Sequence, residues 1–102
     1  MRDVMPHDAI LSVDVNITGY GALQHFPCYH PGSYIFSGVS DAMGIGLTGA
    51  IGAQVAYPER KVVALSGDGG FLMTCPDLAT AVMYNLPVAT LPNTPNLSLI
   101  HI

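Results

Sequence analysis

Charged residues are scarce in this 102-residue chain, with three basic and seven acidic residues and a formal net charge of −4. Nucleic-acid-binding domains usually carry a basic patch, and the one basic pair is Arg60–Lys61, so the composition argues against a nucleic-acid partner. The two cysteines, Cys28 and Cys75, are too few for a disulfide framework. We therefore expect a cytoplasmic protein.

Long hydrophobic runs are also lacking. No stretch of eighteen apolar residues is free of glycine or polar breaks, so we expect no membrane span, and residues 1–6 lack the apolar core of a signal peptide. Half of the residues are nevertheless hydrophobic, which excludes disorder. Because a small domain has much surface to cover with polar groups, the sparse charge predicts apolar surface that faces another domain or subunit.

Strand-like and helix-like segments alternate along the chain. Hydrophobic patterning predicts strands over residues 9–15, 34–36, 61–65 and 86–91, and helices over residues 17–26, 42–57 and 76–85. Asn16 is the predicted N-cap of the first helix. The alternation predicts an α/β fold with a doubly wound parallel sheet.

The apolar strand 61–65 is directly followed by Ser66-Gly67-Asp68-Gly69-Gly70, which is predicted to be a sharp loop and contains the segment Gly67-Asp68-Gly69-Gly70. Ligands of open α/β sheets bind at the carboxyl ends of strands. Glycines there let backbone N–H groups approach an anion, and a carboxylate beside them can hold a divalent metal that bridges to phosphate oxygens. The pattern suits a diphosphate with Mg²⁺, and a plain tight turn with a solvated aspartate explains these four residues equally well.

A second glycine-rich segment contains Gly44, Gly46 and Gly49, which formally satisfy the dinucleotide fingerprint G-x-G-x-x-G. That fingerprint requires a strand immediately before it, whereas residues 37–43 have the composition of a loop. A strand there would favour an NAD-binding Rossmann domain. Without one, the glycines indicate a helix of small residues that packs closely on the sheet.

Together, the two segments resemble the C-terminal pyrophosphate-binding domain of thiamine diphosphate-dependent enzymes of the acetolactate synthase-like group. The matching stretches are Met43-Gly44-x-Gly46-Leu47, Ala50–Ala53, Val62–Met73 and Leu78–Val82. The resemblance implies the thiamine diphosphate-binding α/β fold and an enzyme, a lyase or transferase, that decarboxylates or ligates 2-keto acids. An orphaned, non-catalytic cofactor-binding module remains open as an alternative.

The resemblance also implies which residues contact the cofactor's rings and one of its phosphate-binding turns. Met43 would lie beneath the cofactor and hold its two rings in a bent shape. The backbone carbonyl of Asp41 would accept a hydrogen bond from the aminopyrimidine amine and so keep it close to the thiazolium ring. Asn16 lies in the family's other phosphate-contacting turn.

The diphosphate and metal site is implied in the same way. Asp68 would ligate Mg²⁺, and the backbone of Gly67, Gly69 and Gly70 would contact the diphosphate. Asn93 is the candidate for a second Mg²⁺ ligand, since the family places an asparagine at the end of the next strand.

The family's activating glutamate belongs to a pyrimidine domain that this sequence does not contain. The single glutamate, Glu59, follows a proline in a turn and is interpreted as solvated. We therefore expect no catalytic residue in this chain. The expected partners are the rest of a parent chain with its pyrimidine domain, further copies in a homo-oligomer, and a small 2-keto acid.

The end of the chain has an unusual sequence. Residues 92–96 contain two prolines and are predicted to break the preceding strand. Residues 97–102, Leu-Ser-Leu-Ile-His-Ile, match the in-frame translation of a sequencing-library transposon adapter. We expect residues 1–96 to form the cofactor-binding domain fragment and residues 97–102 to be a non-native tail, and the codons of the source DNA test this.

Overall fold

A computed structural model describes residues 2–93 and 100–101 of the chain. The strands are β1 (Ile10–Val13), β2 (Tyr34–Phe36), β3 (Val62–Gly67), β4 (Val88–Asn93) and β5 (Ile100–His101). The helices are α1 (Ile17–His25), α2 (Ile45–Ala56), α3 (Asp68–Thr74) and α4 (Leu78–Met83), with 3₁₀ turns at Arg2–Val4 and Cys75–Asp77. None of the helices in this part of the chain has the length and apolarity that a bilayer crossing requires.

The five strands form one sheet in the order β2-β1-β3-β4-β5. The first four are parallel, and β5 pairs with β4 in the antiparallel direction. From β1 the chain passes through α1 to β2 on one side, and then through α2 to β3 on the other side of β1. This arrangement confirms the predicted α/β doubly wound parallel sheet and places its topological switch point between β1 and β3.

Helices cover both faces of the sheet, as the continuous apolar run in β3 predicts. Alternate residues of β1 point to opposite faces, so Ile10 packs against Ala50 and Ala53 of α2, whereas Leu11 and Val13 pack towards α1. The three core clusters are Ile10, Ala50, Ala53, Val62, Ala64 and Val88; Leu47, Ile51, Phe71 and Ala81; and Leu11, Val13 and Leu65. The ends of β1 and β3 are therefore held firmly from both sides.

The predicted loop at the end of β3 is wrong. Gly67 is the last residue of the strand, and α3 begins at Asp68 with no loop between them. Two glycines in the first turn disfavour a helix locally, but Asp68 complements the positive end of the helix dipole and Phe71 packs with Leu47 and Ile51 of α2. Tertiary packing therefore outweighs local propensity here.

The sequence predicts that residues 92–96 break the strand, and this is wrong for Pro92 and Asn93, which both belong to β4. β4 runs through Pro92, which lies opposite Ser66, to Asn93, which lies opposite Gly67. In the described part of the chain, β5 pairs with Ala89 and Thr90 of β4, and the pairing of β4 with β3 continues past Pro92 although proline has no N–H to donate to the ladder. Residues 94–96, and most of the tail 97–102, lie outside the described residues, so the domain boundary at 96 remains a prediction.

The helices predicted from the sequence are confirmed in position and differ in length. α1 begins after the predicted cap Asn16. α2 begins three residues later than predicted, at Ile45. The helix predicted over 76–85 is divided into the 3₁₀ turn Cys75–Asp77, with its proline in the first turn, and the short helix α4.

Candidate functional site

A cleft of about 320 Å³ lies at the carboxyl ends of the neighbouring strands β1 and β3. This is the switch point of the sheet, where open α/β folds bind their ligands. Three segments form its walls: the end of β1 with the start of α1, the turn before α2, and the junction between β3 and α3. We call it the central cleft, and its lining residues are Val15, Asn16, Ile17, Met43, Gly67, Asp68, Gly69 and Gly70.

Six of the seven predicted cofactor-binding residues line this cleft, and the exception is Asp41. Asp41 lies two residues before Met43 in an exposed turn, where its backbone N–H donates to the carbonyl of Ser37 at 3.1 Å. Its φ of 46° is in the left-handed region, which is uncommon for a residue other than glycine. The role of its carbonyl towards an aminopyrimidine remains a prediction.

The junction between β3 and α3 brings a carboxylate and close backbone to the cleft. The side chain of Asp68 is exposed, and its Oδ1 accepts a hydrogen bond from Gly69 N at 2.8 Å. A Cβ atom added to Gly67 would lie 3.2 Å from Cβ of Asn16, and one added to Gly69 would lie 3.1 Å from Cε of Met43. The missing side chains therefore let the three walls approach one another.

Asn16 forms the opposite wall as the N-cap of α1, which confirms its predicted capping role. Its Oδ1 accepts a hydrogen bond from Gly19 N at 2.7 Å, and its Nδ2 donates to the carbonyl of Asp14 at 3.1 Å. Both polar atoms of the side chain are thus engaged in the cap. A ligand could therefore contact Asn16 through its backbone, which the cap holds in place at the cleft. The phosphate contact predicted for Asn16 remains a prediction.

A buried carboxylate, that of Asp14, lies directly after β1 and against the backbone of two segments that form the cleft. Asp14 is 1% exposed, and its Oδ1 accepts hydrogen bonds from Gly44 N at 2.8 Å and Val15 N at 3.0 Å. It does not cap α1, since Asn16 does. The signal in the sequence is the two-residue period of β1, which places Asp14 on the same buried face as Ser12.

The glycines of the formal dinucleotide fingerprint serve helix packing. A Cβ atom added to Gly46 would lie 2.6 Å from Oγ of Ser66, and one added to Gly49 would lie 2.6 Å from Oγ of Ser12. Gly44 has a φ of 95° and is the N-cap of α2. β2 ends at Phe36, so residues 37–43 form the predicted loop and no strand directly precedes Gly44. An NAD-binding Rossmann domain is therefore not favoured.

Asn93 reaches the same edge of the sheet as Asp68 through the pairing of β3 and β4. Its backbone lies opposite Gly67, the residue before Asp68. Among the described residues, no group of three or more His, Cys, Asp or Glu side chains could hold a metal ion. A metal at this edge would therefore rest on few protein ligands, as Mg²⁺ does when phosphate oxygens and water complete its shell.

The titratable group with a clear pKa shift lies away from the cleft, between β2 and α1. Burial raises the pKa of the Tyr34 hydroxyl, and the nearby Cys28 adds to the shift. The hydroxyl donates a hydrogen bond to the carbonyl of Gly19 at 3.3 Å. Tyr34 therefore serves the packing of α1 on the sheet.

Fold and cleft together define the class of this chain. A doubly wound parallel sheet whose switch-point cleft carries close glycine backbone and one carboxylate is a cofactor-binding α/β domain suited to a phosphate-bearing ligand. The chain belongs to the thiamine pyrophosphate enzyme family: the family model described as "Thiamine pyrophosphate enzyme, C-terminal TPP binding domain" matches residues 16–92. Thiamine pyrophosphate and thiamine diphosphate are the same compound.

Sequence comparison with known proteins agrees with this assignment. Pyruvate oxidase of Lactiplantibacillus plantarum is 47% identical over 81 residues, which are 79% of this chain and 13% of the oxidase. The isozyme 2 large subunit of acetolactate synthase from Escherichia coli is 39% identical over 88 residues, 86% of this chain and 16% of the subunit. YdaP of Bacillus subtilis is 41% identical over 101 residues, 98% of this chain and 18% of YdaP. The chain thus spans less than a fifth of the length of each relative.

The comparisons confirm the resemblance inferred from the sequence. This chain is a thiamine diphosphate-binding C-terminal domain of the kind found in acetolactate synthase-like enzymes. It corresponds to a fragment of such an enzyme.

Proposed function

We propose that this domain holds thiamine diphosphate together with Mg²⁺ in the central cleft, as part of an enzyme that decarboxylates or ligates 2-keto acids. The observation that carries the proposal is the convergence of Asp68, the glycine backbone of 67–70 and Met43 on one cleft at the switch point. The names of the relatives, acetolactate synthase and pyruvate oxidase, support the substrate class.

The residues of the cleft suit the diphosphate end of the cofactor. Among the described residues, no basic side chain lines the cleft. Arg60 donates to Oγ of Ser33 at 2.8 Å and to the carbonyl of Asp8, and Lys61 directly precedes β3, so both lie at the opposite, amino end of the strand. Backbone N–H groups of Gly69 and Gly70 supply only partial charges.

A divalent cation is the remaining means of neutralising a diphosphate here. Asp68 carries the one carboxylate among the described residues that line the cleft, and Asn93 ends the neighbouring strand at the same edge. Mg²⁺ typically takes one or two carboxylates and leaves its other positions to phosphate oxygens and water. We therefore assign Asp68 and Asn93 as the protein ligands of the metal.

The organic end of the cofactor would lie against Met43. Its side chain is 48% exposed and lies beside Gly69, so it offers an apolar surface at the mouth of the cleft. When bound, thiamine diphosphate supplies carbanion stabilisation next to the substrate carbonyl. The contribution of this domain is to bind and orient the cofactor.

The partners of the domain follow from its small share of the relatives' length. We propose that it functions with the rest of a parent chain, including a pyrimidine domain, in a homo-oligomer that acts as a lyase or transferase. An open reading frame that continues upstream of Met1 into such a domain would support this and would reject an orphaned module. A cytoplasmic location agrees with Cys28 and Cys75 both being free thiols.

The proposed metal site is tested by Asp68→Asn in the full-length enzyme that carries this domain. Asparagine keeps the shape and one oxygen but removes the charge, so the Kd for thiamine diphosphate in the presence of Mg²⁺ should rise about tenfold or more. Thermal unfolding of the apo protein should change little, because the side chain is exposed. Titration calorimetry with Mg²⁺ and with a chelator measures the effect.

Asp77→Asn is the matched control, since Asp77 is also exposed near the start of a helix and does not line the cleft. Its Kd should equal that of the wild type. Chelator-insensitive binding of unchanged affinity in Asp68→Asn would show that Asp68 serves only the start of α3 and would contradict the proposal.

A further inference from the structure

One buried carboxylate connects the strand β1 to two of the segments that form the central cleft. Oδ1 of Asp14 accepts the N–H of Gly44, which directly follows Met43, at 2.8 Å. On its other side, a Cβ atom added to Gly70 would collide with Oδ2 of Asp14, so the β3–α3 junction rests directly on the carboxylate. The backbone N–H of Asp14 donates to the carbonyl of Leu65 at 2.8 Å, which fixes its own position against β3.

Packing alone does not account for an aspartate at this position. Asp14 is 1% exposed, and its Oδ2 is buried without a hydrogen-bond partner among the described residues. Burying a carboxylate with one oxygen unpaired destabilises a fold relative to a small neutral residue. Ser12, two residues earlier on the same face, packs against α2 as a neutral residue and donates to the carbonyl of Ile45 at 3.3 Å.

We propose that Asp14 is a positioning residue for the bound cofactor. Its carboxylate sets the separation between the Met43–Gly44 turn and the first turn of α3 at Gly69–Gly70. The inference rests on the proposed function, because these turns would contact the two ends of thiamine diphosphate. Asp14 does not line the cleft. It acts by accepting the hydrogen bond of Gly44 N and by packing directly against the backbone of Gly70. Without the carboxylate, the turn before α2 loses a buried hydrogen bond and space opens beneath the β3–α3 junction.

The test compares Asp14→Ala with the wild type in the full-length enzyme that carries this domain. Outer-shell partners of metal ligands typically change metal affinity or activity about 10–100-fold when they are mutated, and we take the same range for a carboxylate that holds cofactor-binding backbone. We expect the Kd for thiamine diphosphate with Mg²⁺ to rise by that factor, measured by titration calorimetry on the apo enzyme. Asp14→Asn keeps an acceptor for Gly44 N, and its Kd should return close to the wild-type value.

Ser12→Ala is the matched control because Ser12 lies two residues earlier on the same face and contacts the start of the same helix, α2. It should lower the melting temperature of the apo enzyme without changing the Kd. If Asp14→Ala also lowers only the melting temperature and leaves the Kd unchanged, Asp14 is a packing residue and the inference is wrong. Should Asp14→Ala fail to fold, Asp14→Ser replaces it, since its hydroxyl fills part of the space and is too short to reach Gly44 N; an unchanged Kd there overturns the inference equally.

The two proposals fail in different ways. Binding of thiamine diphosphate by the wild type tests the proposed function by itself, and the ratio of the variant and wild-type Kd values tests the role of Asp14. A wild type that binds, together with variants that bind equally well, overturns only the positioning role. A wild type that does not bind overturns both proposals.

Discussion

Two aspartates at the ends of adjacent strands show how environment divides roles at the residue scale. Asp68 is exposed and opens α3, where its charge is available to a cation. Asp14 is enclosed by α2 and the β3–α3 junction, and one of its oxygens already accepts two backbone N–H groups. The exposed aspartate suits direct ligation, and the buried one suits holding backbone in place.

Met43 provides a prediction at the same scale. Met43→Ala should lower turnover of the full-length enzyme and weaken thiamine diphosphate binding more than it lowers stability. A fully buried Met→Ala costs about 2–5 kcal/mol, and Met43 is 48% exposed, so the loss of stability in the apo protein should fall well below that range. Thermal unfolding with and without thiamine diphosphate separates the two effects.

Met73→Ala is the control for this prediction. Met73 is 66% exposed on α3 and does not line the cleft, so the substitution removes the same atoms away from the ligand. It should leave cofactor binding unchanged. If Met43→Ala loses the full amount of about 2–5 kcal/mol in the apo form and the cofactor adds the same stabilisation as in the wild type, Met43 is a packing residue only.

At the scale of elements, α1 depends on its cap. Asn16→Ala removes the acceptor for Gly19 N and should lower the free energy of unfolding by about 1 kcal/mol. Asn16→Ser keeps a capping oxygen and should remain close to the wild type. Urea unfolding of the three proteins measures the difference, and equal stability of Asn16→Ala and the wild type would show that the cap contributes nothing.

Most elements of the fold could be predicted from hydrophobic patterning, because each of the strands β1 to β4 contains a short apolar run between turn residues. The helix α3 and the continuation of β4 through Pro92 could not. α3 has glycines in its first turn, so local propensity predicts a loop, whereas the packing of Phe71 against α2 favours the helix that forms there. The continuation of β4 through Pro92 depends on its pairing with Ser66 and Gly67 of β3, which are distant from it in the chain.

The candidate site could be predicted to a similar extent. Asp68 and its neighbouring glycines form a local motif whose chemistry is visible in the sequence. The role of Asp14 could not be predicted, because its partners Gly44 and Gly70 are 30 and 56 residues away in the chain. The site roles of Asp41, Asn16 and Asn93 remain predictions that the experiments above can address.

At the scale of the whole molecule, α2, α3 and α4 pack together through one core cluster. The exposed surface of these three helices, which we call the helical face, carries many large apolar side chains. Leu72 is 72% exposed and Met83 is 73% exposed. Others on or next to these helices are Val55, Met73, Val82 and Tyr84. Exposed apolar surface of this kind marks interaction sites in longer proteins and promotes association in isolated domains, and a net charge of −4 provides only modest repulsion.

The 102-residue chain on its own should therefore self-associate as its concentration rises. Light scattering coupled to size-exclusion chromatography measures this, and a monodisperse monomer at high concentration would show the prediction to be wrong. The double substitution Leu72→Glu/Met83→Glu should reduce association by placing charge on the helical face. Val4→Glu/Val39→Glu adds the same charge at other exposed apolar positions, 85% and 104% exposed. Comparing the two double variants therefore separates the effect of net charge from the loss of apolar contacts on the helical face. If both double variants reduce association equally, net charge governs it; if only the first does, the helical face is the contact surface.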